Sequence, residues 1–257
     1  MSSPTIWSAG RYDAVGERIA HIAGQVVDAV AQRRPLTDQA LVDLACGTGS
    51  AAAAAAARGA RVTGVDVTPE LIALAARRAA QVTWLVGDAA DTGLPSDAFD
   101  AAVSNMGIIF VEPQRQLAEI TRILKPAGIV AFSAWVRGQS NPLFDPVLAV
   151  LGPPGSTGFS PDQWGDADVV TARLAPQFDD IEIRTGEHRW EFDSLAAAMH
   201  FLRAESPMHV ATFERAGAKQ AELATAFEDA LRAHADPSGR VAFSSPYVVV
   251  SAVYCAA

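Results

Sequence analysis

Leu41-Val42-Asp43-Leu44-Ala45-Cys46-Gly47-Thr48-Gly49-Ser50 joins a short apolar run to the alanine run Ala51 to Ala57. Ala40 to Leu44 reads as a buried strand. The alanine run reads as a helix because alanine has the best helix propensity, and Gly59 marks its end. A strand, a glycine turn and a helix in that order put the turn at the carboxyl edge of a parallel sheet, where ligands bind beside the switch in strand order. Small residues at Ala45, Gly47 and Gly49 let the backbone approach such a ligand closely.

Two ligand classes compete for this turn. Gly47-x-Gly49-x-x-Ala52, with Asp66 about 20 residues on, also satisfies a relaxed dinucleotide fingerprint. Charge separates them. Asp43 sits immediately before the glycine loop, and the next basic residue is Arg58, beyond the helix start. A carboxylate there is badly placed for a pyrophosphate and well placed for an ammonium or a sulfonium. S-adenosylmethionine carries both and has no phosphate. Asp66 ends a second strand, Arg61 to Val67, from where its two oxygens can accept both ribose hydroxyls. Asp88 follows a third, Val82 to Val86, where it can accept from an adenine amino group while the backbone of Ala89 meets the ring. A lone Asp after a strand is usually a turn or cap residue. Three acids at the ends of three successive strands form one constellation.

Outward from the turn, the pattern alternates. Val15, Ile19, Ile22, Val26, Val27 and Val30 recur at helical spacing from Ala14 to about Ala31. Thr68-Pro69-Glu70 is a helix start with a hydroxyl at the N-cap and proline at the first position, and that helix runs to about Ala80. Phe99 to Ser104 is a fourth strand, Pro113 opens a helix stopped by Lys125-Pro126-Ala127-Gly128, and Ile129 to Trp135 is a fifth strand. This order implies parallel pairing with right-handed crossovers. Beyond Trp135, residues 152–165 read as a loop, Ala167 to Phe178, Ser194 to Ala204 and Thr212 to His234 as helices, and Ile181 to Phe192 and Tyr247 to Tyr254 as strands.

From about Ala40 to Trp135 the chain resembles the core of class I S-adenosylmethionine-dependent methyltransferases, close to the branch related to ubiquinone and menaquinone biosynthesis. The matching parts are Val42 to Gly49, Gly64-Val65-Asp66, Gly87-Asp88-Ala89 with Leu94-Pro95, Phe99-Asp100 and Leu124 to Gly128; Ala45 stands where the family often has glycine. The resemblance implies an α/β, Rossmann-like, doubly wound seven-stranded sheet of order 3-2-1-4-5-7-6, strand 7 antiparallel, with a small helical cap. It implies one methyltransferase domain over 1–257: residues 1–35 as lid and helix, 36–135 as the cofactor-binding core, 136–257 as the C-terminal half of the sheet with cap insertions. S-adenosylmethionine is the implied cofactor. Asp43, Ala45, Gly47, Gly49, Asp66, Val67, Asp88 and Ala89 are its expected contacts, and Asn105 and Met106 line its methionine end. Met106 reads equally as core packing. Tyr12 resembles an aromatic lid over the cofactor, or belongs to a helix-start staple.

Methyl transfer from a sulfonium mainly needs an aligned nucleophile and a dry site, with a base where the acceptor is a hydroxyl, phenol or amine. His200 and His209 are the candidate catalytic residues; His21, His188 and His234 read as surface or structural. Trp7, Phe110, Trp135, Phe144, Trp164 and Met208 are candidates to wall an apolar pocket, with core packing as the alternative for each. The expected partner is a small-molecule acceptor, which the sequence does not identify; oligomeric state is not legible. A net charge of −9 and no basic stripe argue against nucleic acid and anionic membranes. No apolar run reaches the roughly 18–20 residues of a membrane span. Cys46 and Cys255, far apart, fit a reducing cytoplasm, and no metal-ligand spacing appears. A nicotinamide-dependent oxidoreductase and a non-catalytic cofactor-binding protein on the same fold are the alternatives.

Overall fold

A computed structural model describes residues 6–8, 11–138, 140–153 and 158–256, the side chains of Ser8 and Tyr12 excepted. Its first half alternates as the apolar runs predict. Helices α1 (Tyr12–Arg18) and α2 (Ala20–Ala31) precede β1 (Ala40–Leu44), α3 (Ser50–Ala56), β2 (Arg61–Asp66), α4 (Pro69–Arg78), β3 (Thr83–Val86), β4 (Phe99–Asn105), α5 (Pro113–Ile123) and β5 (Leu124–Trp135). The second half contains α6 (Asp145–Leu151), α7 (Ala167–Leu174), β6 (Phe178–Phe192), α8 (Leu195–His200), α9 (Pro207–Ala216), α10 (Gln220–Arg232) and β7 (Val241–Tyr254).

The seven strands form one sheet of order β3-β2-β1-β4-β5-β7-β6. β1 pairs in parallel with β2 and β4, β3 with β2, and β5 with β4; β7 runs antiparallel to β5. This is the α/β methyltransferase fold. The order reverses between β1 and β4, so their carboxyl ends open the crevice where such sheets bind ligands. Leu41, Val42 and Leu44 of β1 and Ala101 to Val103 of β4 are buried, as strands covered on both faces require. Ile22, Val26, Val27 and Val30 give α2 its buried stripe. The buried alanines of α3, Ala51, Ala52 and Ala55, let that helix lie close to α2 and β1.

The chain divides into two compact units. One holds Gly16–Val136, Phe159–Gly186 and Tyr247–Ala257, and includes β1 to β5. The other holds Met1–Val15, Arg137–Gly158 and Glu187–Pro246. Its core gathers Phe227 and Leu231 of α10, Phe213 of α9, and Phe201, which packs against Trp190 and Phe192 with ring centroids 5.7 and 5.4 Å apart.

Several boundaries differ from the sequence reading. The first helix breaks at Ile19, which leaves the helical region with φ −101° and ψ 8°. The segment Thr212 to His234 is two helices, because Gly217 takes φ +52° between them. The expected hydroxyl cap at Thr68 is absent: its side chain bonds Asp66 instead. The expected helix from Ala167 ends at Leu174, and Phe178 opens β6. β5 begins pairing at Leu124, then bulges before Ala101 meets Ile129. Helix α6, under a proline at its first turn, was not anticipated. Among the described residues, no helix is long and apolar enough to cross a membrane.

Candidate functional site

The turn after β1 is built from three residues in the left-handed region: Ala45 (φ +50°), Gly47 (+55°) and Gly49 (+81°). Gly49 tolerates no side chain. A Cβ there, like one on Gly64 of β2, would strike the Trp84 indole, which lies across both glycines and donates from Nε1 to Ala79 O at 3.0 Å. Alanine at position 45 holds this conformation at a cost of roughly 1–2 kcal/mol.

Asp43 is 1% exposed. Its Oδ2 accepts from the Ala52 amide at 2.9 Å and so anchors the first turn of α3; its Oδ1 is buried without a hydrogen-bond partner. Burial, opposed by the Ala52 amide and reinforced by the Asp66 charge, pushes its pKa up to about 8. Asp66 holds the turn from the other side. Oδ2 accepts from Gly47 N at 2.8 Å and Oδ1 from Thr68 N at 2.9 Å. Burial raises its pKa, and these two amides pull it back. With the Thr68 hydroxyl as a third donor, the Asp66 carboxylate keeps one of its roughly four lone-pair sites for a further donor. The side chain therefore also holds the fold together locally, a role that the sequence reading did not assign. From Asp43 to Ala57 the chain has no basic residue, and Arg58 is paired with Asp28 at 2.6 Å. Two neighbouring buried carboxyls, one oxygen lacking a donor, suit a cationic ligand and not a phosphate.

Asp88, half-exposed, closes a small turn by accepting from Ala90 N at 2.9 Å and meets Arg115 at 3.3 Å. Helix α5 secures this loop. Gln116 donates to Ala89 O at 3.0 Å, and Glu119 accepts from both the amide and hydroxyl of Thr92. Despite burial, hydrogen bonds from Arg122 and Thr92 hold Glu119 down to about 2. Val67 stands 45% exposed just past Asp66, an apolar surface at the sheet edge.

The loop after β4 meets the turn. A Cβ on Gly107 would collide with the Ala45 carbonyl, so only glycine allows this approach. Ser104 Oγ donates to Leu44 O at 2.7 Å and accepts from Ile108 N at 3.0 Å. Met106 is buried with φ +57°, and its amide donates to Ser133 Oγ at 3.0 Å. Ser133 donates in turn to Asn105 Oδ1 at 2.8 Å. The acids, Ala45, the glycines, Asn105 and Met106 thus share one strand edge. Sequence reasoning missed Ser133, Gln116, Glu119 and Trp84, which shape that edge from neighbouring elements.

The candidate histidines belong to the other unit. His209 is buried, with Nε2 facing Leu143 O at 2.8 Å and Nδ1 facing Ser206 Oγ at 2.6 Å. A carbonyl can only accept, so Nε2 carries the proton and Nδ1 accepts from the serine. Burial lowers its pKa, which favours this neutral form. His200 is exposed, its Nε2 3.8 Å from Glu205 Oε1. His188 is buried and packs edge-on against Trp190. The Tyr12 side chain lies outside the described residues. Of the candidates for an apolar pocket wall, Trp164 is fully buried against Phe132, a core position, while Phe144 and Met208 are exposed. The described residues include no group of three or more His, Cys, Asp or Glu placed to hold a metal ion.

Comparison with known proteins agrees with this geometry. Residues 42–132 match a family described as a methyltransferase domain. An uncharacterized protein of Mycobacterium tuberculosis is 27% identical over 190 residues, 70% of this chain and 68% of the relative. A demethylmenaquinone methyltransferase of Clavibacter sepedonicus is 38% identical over 98 residues, 37% of this chain and 40% of that enzyme. A Haemonchus contortus phosphoethanolamine N-methyltransferase, solved with phosphomonomethylethanolamine and S-adenosylhomocysteine, superposes with TM-score 0.56 at 20% identity, covering 90% of this chain. The chain spans about half the length of that enzyme, 52%. The strand order, the glycine turn and the family match together show an S-adenosylmethionine-dependent methyltransferase domain over the matched residues, 42–132.

Proposed function

We propose that the chain transfers a methyl group from S-adenosylmethionine to an O, N or C nucleophile of a small molecule by in-line displacement. One observation carries the reading furthest: the buried, unpaired Oδ1 of Asp43 at an acid-lined turn without cations. S-adenosylmethionine supplies a methyl on a positively charged sulfur whose departure leaves a neutral thioether.

The remaining work falls to the chain. Asp43 offers negative charge to the cofactor's cationic groups. Asp66, at the end of β2, accepts from the ribose hydroxyls, its remaining lone-pair site taking the first of them. Asp88 accepts from the adenine amino group, with Val67 and Ala89 against the ring. Gly47 and Gly49 allow close backbone approach, and Asn105 and Met106 border the methionine end. Tyr12 serves as the aromatic lid. Alignment and exclusion of water supply most of the acceleration for so good a leaving group. Where the acceptor must lose a proton, His200 and His209 are the candidates for its uptake, and both ring nitrogens of His209 are already engaged. A small acceptor, not nucleic acid, is supported by the net charge of −9. Kinship with the ubiquinone and menaquinone branch is supported by the Clavibacter match over the cofactor core.

Calorimetry with S-adenosylmethionine, S-adenosylhomocysteine and NAD tests the reading. Binding of both adenosyl ligands and not NAD is expected. Tight NAD binding alone would replace the methyltransferase with an oxidoreductase. Cofactor binding with no methyl transferred to any of a broad acceptor panel would favour a binding protein.

A further inference from the structure

The chain after β4 takes a conformation that its residue does not favour. Met106 has φ +57°, and methionine, unlike glycine or asparagine, gains nothing locally from the left-handed region. Something outside the loop must hold it there. Ser133, on β5, is fully buried and stands opposite Asn105 in the parallel register. Its hydroxyl has one proton, which goes to Asn105 Oδ1 at 2.8 Å. That leaves its lone pairs for the Met106 amide, 3.0 Å away. Asn105 therefore fixes the hydroxyl's rotation, and the fixed hydroxyl fixes Met106. Next to it, Gly107 lies against the Ala45 carbonyl of the glycine turn, so a shift at Met106 moves the wall that the turn faces.

We infer that Ser133 is a positioning residue for the methionine end of the cofactor. It acts through Met106 by holding the residue in the left-handed conformation that shapes the loop, and Asn105 orients its hydroxyl. The inference rests on the proposed cofactor site and adds a residue to it that touches no ligand itself.

A double-mutant cycle on the full chain, read by S-adenosylhomocysteine affinity, tests this. Ser133→Ala is expected to weaken binding about tenfold, the equivalent of ~1.4 kcal/mol. Met106→Gly supplies a residue that adopts φ +57° unaided. Adding Ser133→Ala to that background is expected to weaken binding by less than about threefold. Equal losses in the two backgrounds, or none in the native one, overturn the inference, because a serine needed only for packing would cost the same in both. If Met106→Gly abolishes binding, a crystal structure of Ser133→Ala decides: Met106 still at positive φ overturns the inference, and Met106 relaxed to negative φ supports it. Failure of the native chain to bind S-adenosylhomocysteine sinks the proposed function instead, while that crystal structure still reports on Ser133.

Discussion

Asp43 and His209 are both buried titratable side chains, one in each compact unit, and they are treated in opposite ways. His209 has both ring nitrogens satisfied, by Ser206 and by the Leu143 carbonyl. Asp43 has one oxygen bonded and one left without a donor. An unsatisfied buried carboxyl costs stability. A fold keeps such a group where something else gains from it. A fully satisfied buried histidine needs no explanation beyond the structure it secures. Between these two residues it is saturation, and not burial, that differs.

The sharpest way to break this contrast is to remove the Asp43 charge while keeping its shape. Asp43→Asn retains an oxygen for the Ala52 amide. S-adenosylmethionine affinity is expected to fall about 100-fold, ~2.7 kcal/mol, by calorimetry. At pH 9 the variant should melt no lower than the native chain, because the ionised carboxylate it replaces is unfavourable where it sits. A variant that binds normally, or that melts several degrees lower at pH 9, would make Asp43 a structural residue like His209.

The pH profiles of the two groups should slope in opposite directions. The Asp43 pKa is raised in the folded chain to about 8 from 3.8. Its contribution to stability is therefore complete below about 3.8 and is lost as pH rises toward 8. The His209 pKa is lowered from 6.5, so its contribution is present above 6.5 and lost as pH falls through the folded value. Ligand binding carries the same signature. A cation beside Asp43 favours its ionised form, so binding releases a proton and affinity rises with pH, by at most about tenfold per unit, levelling off near 8. Calorimetry in buffers of different ionisation enthalpy counts that proton. The slope should be shallower for S-adenosylhomocysteine, which lacks the sulfonium charge, and equal slopes for the two ligands would remove the sulfonium from the neighbourhood of Asp43.

At His209 the expected effects are smaller and confined to stability. Ser206→Ala leaves Nδ1 buried without its donor and should cost about 1–3 kcal/mol in denaturant unfolding. Cofactor affinity should not change. A loss of affinity comparable to that of Asp43→Asn would show the two buried groups to be coupled.

Legibility followed the same division. β1, β2, β4 and β5 are apolar runs bounded by turn residues, and Asp43, Asp66 and Asp88 stand at or just past the carboxyl ends of β1, β2 and β3, so the sheet and its acid edge could be read directly. What could not be read was set by register. Ser133 looks like any small residue in a buried strand until β5 is placed beside β4 and Asn105 falls opposite it. Gln116 and Glu119 have the spacing of an ordinary helix face, and nothing local announces that they hold Ala89 and Thr92. Asp66 reads in the sequence as a ligand contact, and its bonds to the Gly47 and Thr68 amides show that it also closes the turn. For that reason Asp66→Ala is a poorer probe of the cofactor than Asp43→Asn, since it removes an acceptor from two backbone donors at once.

The smallest expected effect lies at Ala45, where the turn departs from glycine. At φ +50° its Cβ is held in the region that L-residues avoid, a strain of roughly 1–2 kcal/mol. Ala45→Gly removes that strain but gives the unfolded chain more freedom, which offsets about 0.4–1 kcal/mol. The net gain should be under about 1 kcal/mol, a rise of roughly 1–3 °C in Tm for a chain of this size. Cofactor affinity should stay within about twofold, because the left-handed turn is already formed in the native chain. A lower Tm would mean that the Cβ contributes packing worth more than its strain. A large gain in affinity would mean that the native turn samples other conformations, and the comparison with His209 would then have to include mobility as well as saturation.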